Sequence, residues 1–208
     1  MKEYLSSTYF IDIGHPRVAS MAKEAIGDAT TQRDKVIKLF YAVRDGIKYN
    51  PWVEAYKIET NITSHIIEYG QGYCVQKALV LIALARHTGV PARLGLADII
   101  NHLSDGALLK AMGTNVFTCH GYAEIYLDGH WIKATPAFNI EMCEKKSFPP
   151  VEFDGRRDAV FPSTDKKGRR YVEYVTFHGV FADLPFEFIM DKWEEVYPGL
   201  KGVIEKKE

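Results

Sequence analysis

Residues Tyr69 to Arg93 read YGQGYCVQKALVLIALARHTGVPAR, and the reading of this stretch decides the fold. From Cys74 to about Thr88, Val75, Ala78, Leu79 and Ile82 fall on one side of a helix and Leu81, Leu84 and Ala85 on another. A helix that is apolar nearly all round belongs at the centre of a molecule, and Gly89 and Pro91 end it. Its entrance carries a thiol, Cys74. The first backbone N–H groups of a helix have no partners and the dipole there favours an anion, so this placement predicts a pKa well below the free-thiol value of about 8.5. Gly70 and Gly72, just upstream, predict a backbone that turns tightly and approaches a ligand.

Upstream, His15-Pro16 opens a helix that carries Val18, Met21, Ala22, Ala25 and Ile26 and closes at Gly27. A second starts near Thr31, with Val36, Ile37, Phe40, Tyr41 and Val43 as its stripe, and ends at Gly46 before the extended piece IKYNPW. Downstream, ARLGLADII reads as a strand, and Asn101 to Asn115 as loop with a short helix near GALLKAM. Val116 to Leu127 alternates as a strand, and Asp128-Gly129 predicts a hairpin returning as HWIKAT. The two-residue turn sets Leu127 opposite His130, Tyr126 opposite Trp131, Glu124 opposite Lys133 and Tyr122 opposite Thr135. From Phe138 the chain is loop-rich, followed by a strand YVEYVTF and a final amphipathic helix of Phe186, Ile189, Trp193 and Val196. The fold class is α+β: helices first, then antiparallel strands packed on the Cys74 helix.

A chain of 208 residues buries roughly 70% of its unfolded surface and needs no disulfide or metal to be stable. We expect one domain over 1–208, with the motif core at about 70–137. Lys and Arg number 26 and Asp and Glu 27, a formal charge of -1, which gives no electrostatic case for nucleic acid or an anionic membrane as partner. Three cysteines, Cys74, Cys119 and Cys143, are an odd set without paired spacing and fit a reducing compartment. No apolar leader and no long apolar run occurs, so the expected location is the cytoplasm.

A thiol nucleophile needs a base beside it, and His120 is the candidate, on a strand face shared with Tyr122 and Glu124. Metal is not expected. His102, Cys119, His120 and Cys143 show no ligand spacing, and strand alternation turns Cys119 and His120 to opposite faces. His102 and Asp98 are more simply polar loop contacts than cleft residues, and the run KKGRR, Lys166 to Arg170, a solvated turn.

GQGYC entering a helix, ARHTGVPAR at its end and the strand CHGYAEIYLDGHWIKATP together resemble the transglutaminase-like superfamily of papain-fold thiol enzymes. The resemblance implies Cys74 as nucleophile, His120 as base and a third residue on the next strand. Two positions depart from the family pattern. His-Ala-Trp is His120-Gly121-Tyr122 here, and the aspartate of Asp-Pro-Thr falls on Thr135. Either Thr135 orients His120 by a neutral hydrogen bond, or Asn139 or Asp154 substitutes; asparagine serves this role in the papain arrangement. Trp52, Tyr73 and Tyr122 are the expected substrate-binding aromatics, Trp52 and Tyr49 lying upstream where related enzymes place an aromatic near the oxyanion.

The implied chemistry is a thioester mechanism on a peptide, amide or small acyl substrate, with no cofactor. Hydrolysis, as a protease or amidase, is the first expectation. Amine transfer, as in transglutaminases and acyltransferases, is the second, and a binding domain that kept the fold the third.

Overall fold

The computed structural model describes residues 1–104 and 106–205. Helices α1 (Pro16–Ile26), α2 (Gln32–Gly46) and α3 (Thr63–Tyr69) surround α4 (Cys74–His87) on one side. Against its other side lies a four-stranded antiparallel sheet of β3 (Ala92–Asn101), β4 (Val116–Leu127), β5 (His130–Ala134) and β6 (Val172–Phe181), in the order β5-β4-β3-β6. Two short strands, β1 (Lys48–Tyr49) and β2 (Gln71–Gly72), pair in parallel and tie the chain ahead of Cys74 to the segment after α2. Among the described residues no helix is long and apolar enough to cross a membrane.

The helix starts follow their local chemistry. The His15 side chain accepts the Arg17 N–H with Pro16 in the first turn, and the Thr31 hydroxyl accepts the Asp34 N–H at 3.1 Å. The α4 side chains from Val75 to Arg86 are all buried. Its two buried cations are placed by hydrogen bonds. Lys77 donates to the carbonyls of Arg44 and Ile47 at the end of α2, and Arg86 donates to the carbonyls of Ala92, Ser6 and Ala182. A buried donor on an apolar helix thus closes off backbone groups that would otherwise be unpaired.

The hairpin forms with the expected register at Leu127↔His130, Tyr126↔Trp131 and Glu124↔Lys133, but pairing stops at Ala123↔Ala134. Thr135 leaves the hairpin because its N–H donates to the Ala159 carbonyl at 2.8 Å, within a bridge from Ala134 to Ala159. Tyr126 and Trp131 make the aromatic pair, their ring centroids 5.3 Å apart. Glu124, however, takes Arg93 as its ion partner at 2.7 Å, and the Lys133 ammonium lies over the Tyr122 and Phe177 rings. Arg93 comes from the neighbouring strand, where a planar guanidinium meets the carboxylate squarely.

Three helices not read from the sequence, α3, α6 (Ile140–Lys146) and α8 (Leu200–Ile204), complete the fold. α3 is fastened by the Thr63 hydroxyl and N–H to the Phe10 carbonyl. α5 (Ala107–Met112) lies where GALLKAM was read, α6 occupies part of the expected loop, and α8 follows α7 (Phe186–Val196). β6 runs to Phe181, four residues past the expected end.

Candidate active site

Cys74 is the first residue of α4, and the Tyr73 N–H ahead of it donates to the Gln76 side chain at 3.3 Å, which closes the helix start. The glycines of the entrance act on this helix rather than on a ligand. Gly70 closes α3 in the left-handed region at φ 69, and a Cβ at Gly72 would lie 3.1 Å from the Gln76 Cβ. Neither lines the cavity into which Cys74 opens.

β4 comes unusually near this helix start. A Cβ at Gly121 would lie 2.6 Å from the Val75 Cα, a backbone atom that cannot turn aside, so only glycine lets the strand reach the helix entrance. The departure from the family's alanine thus has a steric cause here. The close approach brings the Gly121 N–H to bear on the Cys74 sulfur, together with the N–H groups of Val75 and Cys74 itself.

Those three donors favour a thiolate, yet burial outweighs them and pushes the Cys74 pKa up to about 11. The expected low pKa is therefore corrected. A helix start lowers a thiol only when the thiolate keeps solvent or a cation nearby, and this one faces a mostly apolar cavity. His120 is 3% exposed, and burial lowers it to about 3. Burial thus works against both charged forms, the thiolate and the imidazolium.

Cys74 and His120 line one cavity of about 310 Å³, walled by Trp52, Tyr73, Phe117, Phe161 and Trp193 among others. Of the expected site residues it brings together Cys74, His120, Trp52 and Tyr73. Tyr122 is not on its wall: its ring lies where a side chain on Gly95 would be, on the sheet face opposite α4. The missed residues are Phe161, 5.3 Å from the His120 ring, and Trp193, 5.5 Å from the Tyr73 ring. Trp193 was legible only as a core position of the last helix, because nothing in its spacing ties it to Cys74.

The His120 Nε2 is buried with no hydrogen-bond partner, and so is the Thr135 hydroxyl. The Tyr174 hydroxyl is near enough to Thr135 to feel it, without alignment for a hydrogen bond, and accepts the Phe161 N–H at 3.4 Å. The other two candidates for the third position are engaged elsewhere. Asn139 accepts the Tyr49 N–H at 3.2 Å, and Asp154 accepts the N–H groups of Arg156 and Arg157 in an exposed turn. His102 pairs with Glu173 rather than entering the cavity, and in the basic turn Asp165 accepts the N–H groups of Lys167 and Arg169.

Residues 19–136 match the family model described as the transglutaminase-like superfamily, which is more than half of the chain and spans both Cys74 and His120. The chain belongs to the transglutaminase-like superfamily. Two solved structures are similar to it. One is a candidate cysteine protease from Cytophaga hutchinsonii, 15% identical, with TM-score 0.48, covering 86% of this chain and 53% of its own. The other is a candidate protease from Parabacteroides distasonis, 16% identical, with TM-score 0.38, covering 64% of this chain and 24% of its own. The chain therefore spans about half the length of the first and a quarter of the second. Comparison with curated proteins gives no match.

Proposed function

We propose that this member of the superfamily is a thiol hydrolase, a cysteine protease or amidase acting on an amide or acyl substrate with an apolar side chain. Cys74 attacks the carbonyl carbon while His120 takes the thiol proton; the imidazolium gives that proton to the leaving amine, and a thioester remains on Cys74. His120 then removes a proton from water, whose oxygen attacks the thioester. The acid leaves, and the thiol is restored. The observation that carries this reading is the opening of Cys74 and His120 onto the same aromatic-walled cavity, with the thiol at a helix entrance.

Thr135 is the proposed orienter. Support comes from the two buried atoms without partners, His120 Nε2 and the Thr135 hydroxyl, since a buried polar atom is rarely left unpaired through a functional cycle. The N–H of Cys74 is the proposed donor to the oxyanion. Trp52 and Tyr73 are proposed to hold the substrate, and Tyr122 is left out of that role by its position. Three unpaired cysteines and a charge of -1 fit a cytoplasmic enzyme whose partner is its substrate rather than nucleic acid or membrane.

Water is proposed as acceptor over a second protein's lysine. Incubation with a glutamine-bearing protein, its peptides and a fluorescent primary amine is the test. The expected result is Cys74-dependent peptide cleavage or ammonia release with little fluorescence incorporated. Incorporation of the amine in preference to hydrolysis would reverse the assignment, and binding of peptide with no turnover would make this a recognition domain.

A further inference from the structure

Asp98, in the middle of β3, sits between two bulges. On one side the register steps from Ala97↔His120 to Ile99↔Phe117, so Thr118 and Cys119 together face Asp98. On the other it steps from Leu96↔Gly179 to Ala97↔Phe177, which leaves His178 as the extra residue. Cys119 holds a φ of 54, rare outside glycine, and Gly179 a φ of 102. The two bulges turn a thiol and an imidazole from flanking strands onto one carboxylate, and the ligand atoms of Asp98, Cys119 and His178 all lie within 4.8 Å of one another.

We propose that Asp98, Cys119 and His178 form a site for a divalent transition-metal cation of the zinc class, separate from Cys74 and His120. One sulfur, one nitrogen and one oxygen donor suit a borderline-soft ion. Metal–ligand bonds of about 2.0–2.3 Å in a tetrahedron set ligands roughly 3.3–3.8 Å apart, so the three atoms need to shift by about 1 Å at most. On binding, the Cys119 proton leaves to solvent as the sulfur–metal bond forms, and His178 presents an unprotonated ring nitrogen. Three protein ligands leave a fourth position for water.

A purely structural reading explains only part of this cluster. A bulge frees backbone groups, and these are met: Asp98 Oδ1 accepts the Cys119 N–H at 3.0 Å and the Thr118 hydroxyl at 2.7 Å, and the Tyr197 hydroxyl accepts the Thr118 N–H. The bulge needs neither His178, whose Nε2 lies 2.7 Å from Asp98 Oδ1, nor a thiol 1% exposed aimed at the same point. The Phe188 ring, edge-on at 5.5 Å, fixes the imidazole from α7. The Lys192 ammonium, also on α7, is paired with Glu195 at 2.8 Å. Cys119 also lines the cavity and precedes His120, so a bound cation stiffens the backbone that carries the base.

The test is titration of the full chain with Co²⁺, read by its thiolate charge-transfer and d–d absorption, alongside the thermal midpoint in Zn²⁺. The wild type and Cys74→Ser are expected to show the bands and a raised midpoint, Cys119→Ser to lose both, and His178→Gln to bind at least about tenfold more weakly. No bands and no shift in the wild type would overturn the proposal. So would bands that survive Cys119→Ser and vanish in Cys74→Ser, which would put the metal on the other thiol. If Cys119→Ser fails to fold, unchanged affinity in His178→Gln overturns it.

Discussion

Replacing His120 by alanine is expected to lower kcat/KM about a thousandfold or more, while Thr135→Ala lowers it about tenfold or less. The difference follows from the state of the thiol. With burial pushing the Cys74 thiol up to about 11, thiolate is the minor form at pH 7, so the reaction depends on a base that removes the proton as the sulfur attacks. A positioned general base contributes roughly 10²- to 10⁴-fold. Thr135 supplies no charge, and its loss removes orientation alone. The same argument sets the pH dependence: activity is expected to rise with pH through neutrality toward the Cys74 titration rather than reach a plateau below pH 7. Asp154→Ala should be silent, because that carboxylate is bound up in an exposed turn. The orienter is misassigned if Asn139→Ala or Asp154→Ala damages turnover as much as His120→Ala while Thr135→Ala does nothing.

Lys77→Met is expected to destabilise the fold by roughly 2–4 kcal/mol at pH 9, the cost of leaving the carbonyls of Arg44 and Ile47 buried without a donor. It should also flatten the pH dependence of stability. Burial lowers Lys77 from 10.5 to about 7, so between these values the unfolded chain binds more protons than the folded one. Wild-type stability from this group therefore rises as pH increases through that window. The three cysteines act with the opposite sign: each is raised from 9.0 to about 11, and each costs stability only as pH climbs above about 9. Denaturant midpoints at pH 7, 8 and 9 isolate the lysine. An upward slope of equal size in wild type and Lys77→Met would show that Lys77 is not the group responsible.

Much of this frame is legible in the residues because it rests on local rules. The apolar run after Cys74, the proline and glycine at the ends of α1, and Asp128-Gly129 each specify an element without reference to the rest of the chain. α3 and α6 are seven residues long, too short to show a stripe; they are held by Phe10 and by neighbours distant in sequence. The nucleophile and base were legible from position and resemblance. Their ionisation was not, since burial is a property of the whole molecule, and here it outweighs the lowering that the helix start supplies. Thr135 was expected on the hairpin, but a bridge to Ala159 that no local pattern announces takes it away. Asp98, Cys119 and His178 converge only because two bulges swing residues off the regular alternation, and that alternation is all a strand pattern reveals.

The central claim is that Cys74 is the residue that becomes acylated. It is partly exposed to the cavity while Cys119 and Cys143 are buried. Brief treatment of the folded chain with p-nitrophenyl acetate, followed by peptide mass mapping, tests this directly. The expected result is a hydroxylamine-labile acetyl group on Cys74 that forms far more slowly in His120→Ala. Acetylation of Cys119 or Cys143 ahead of Cys74, or an equal rate without His120, would contradict it.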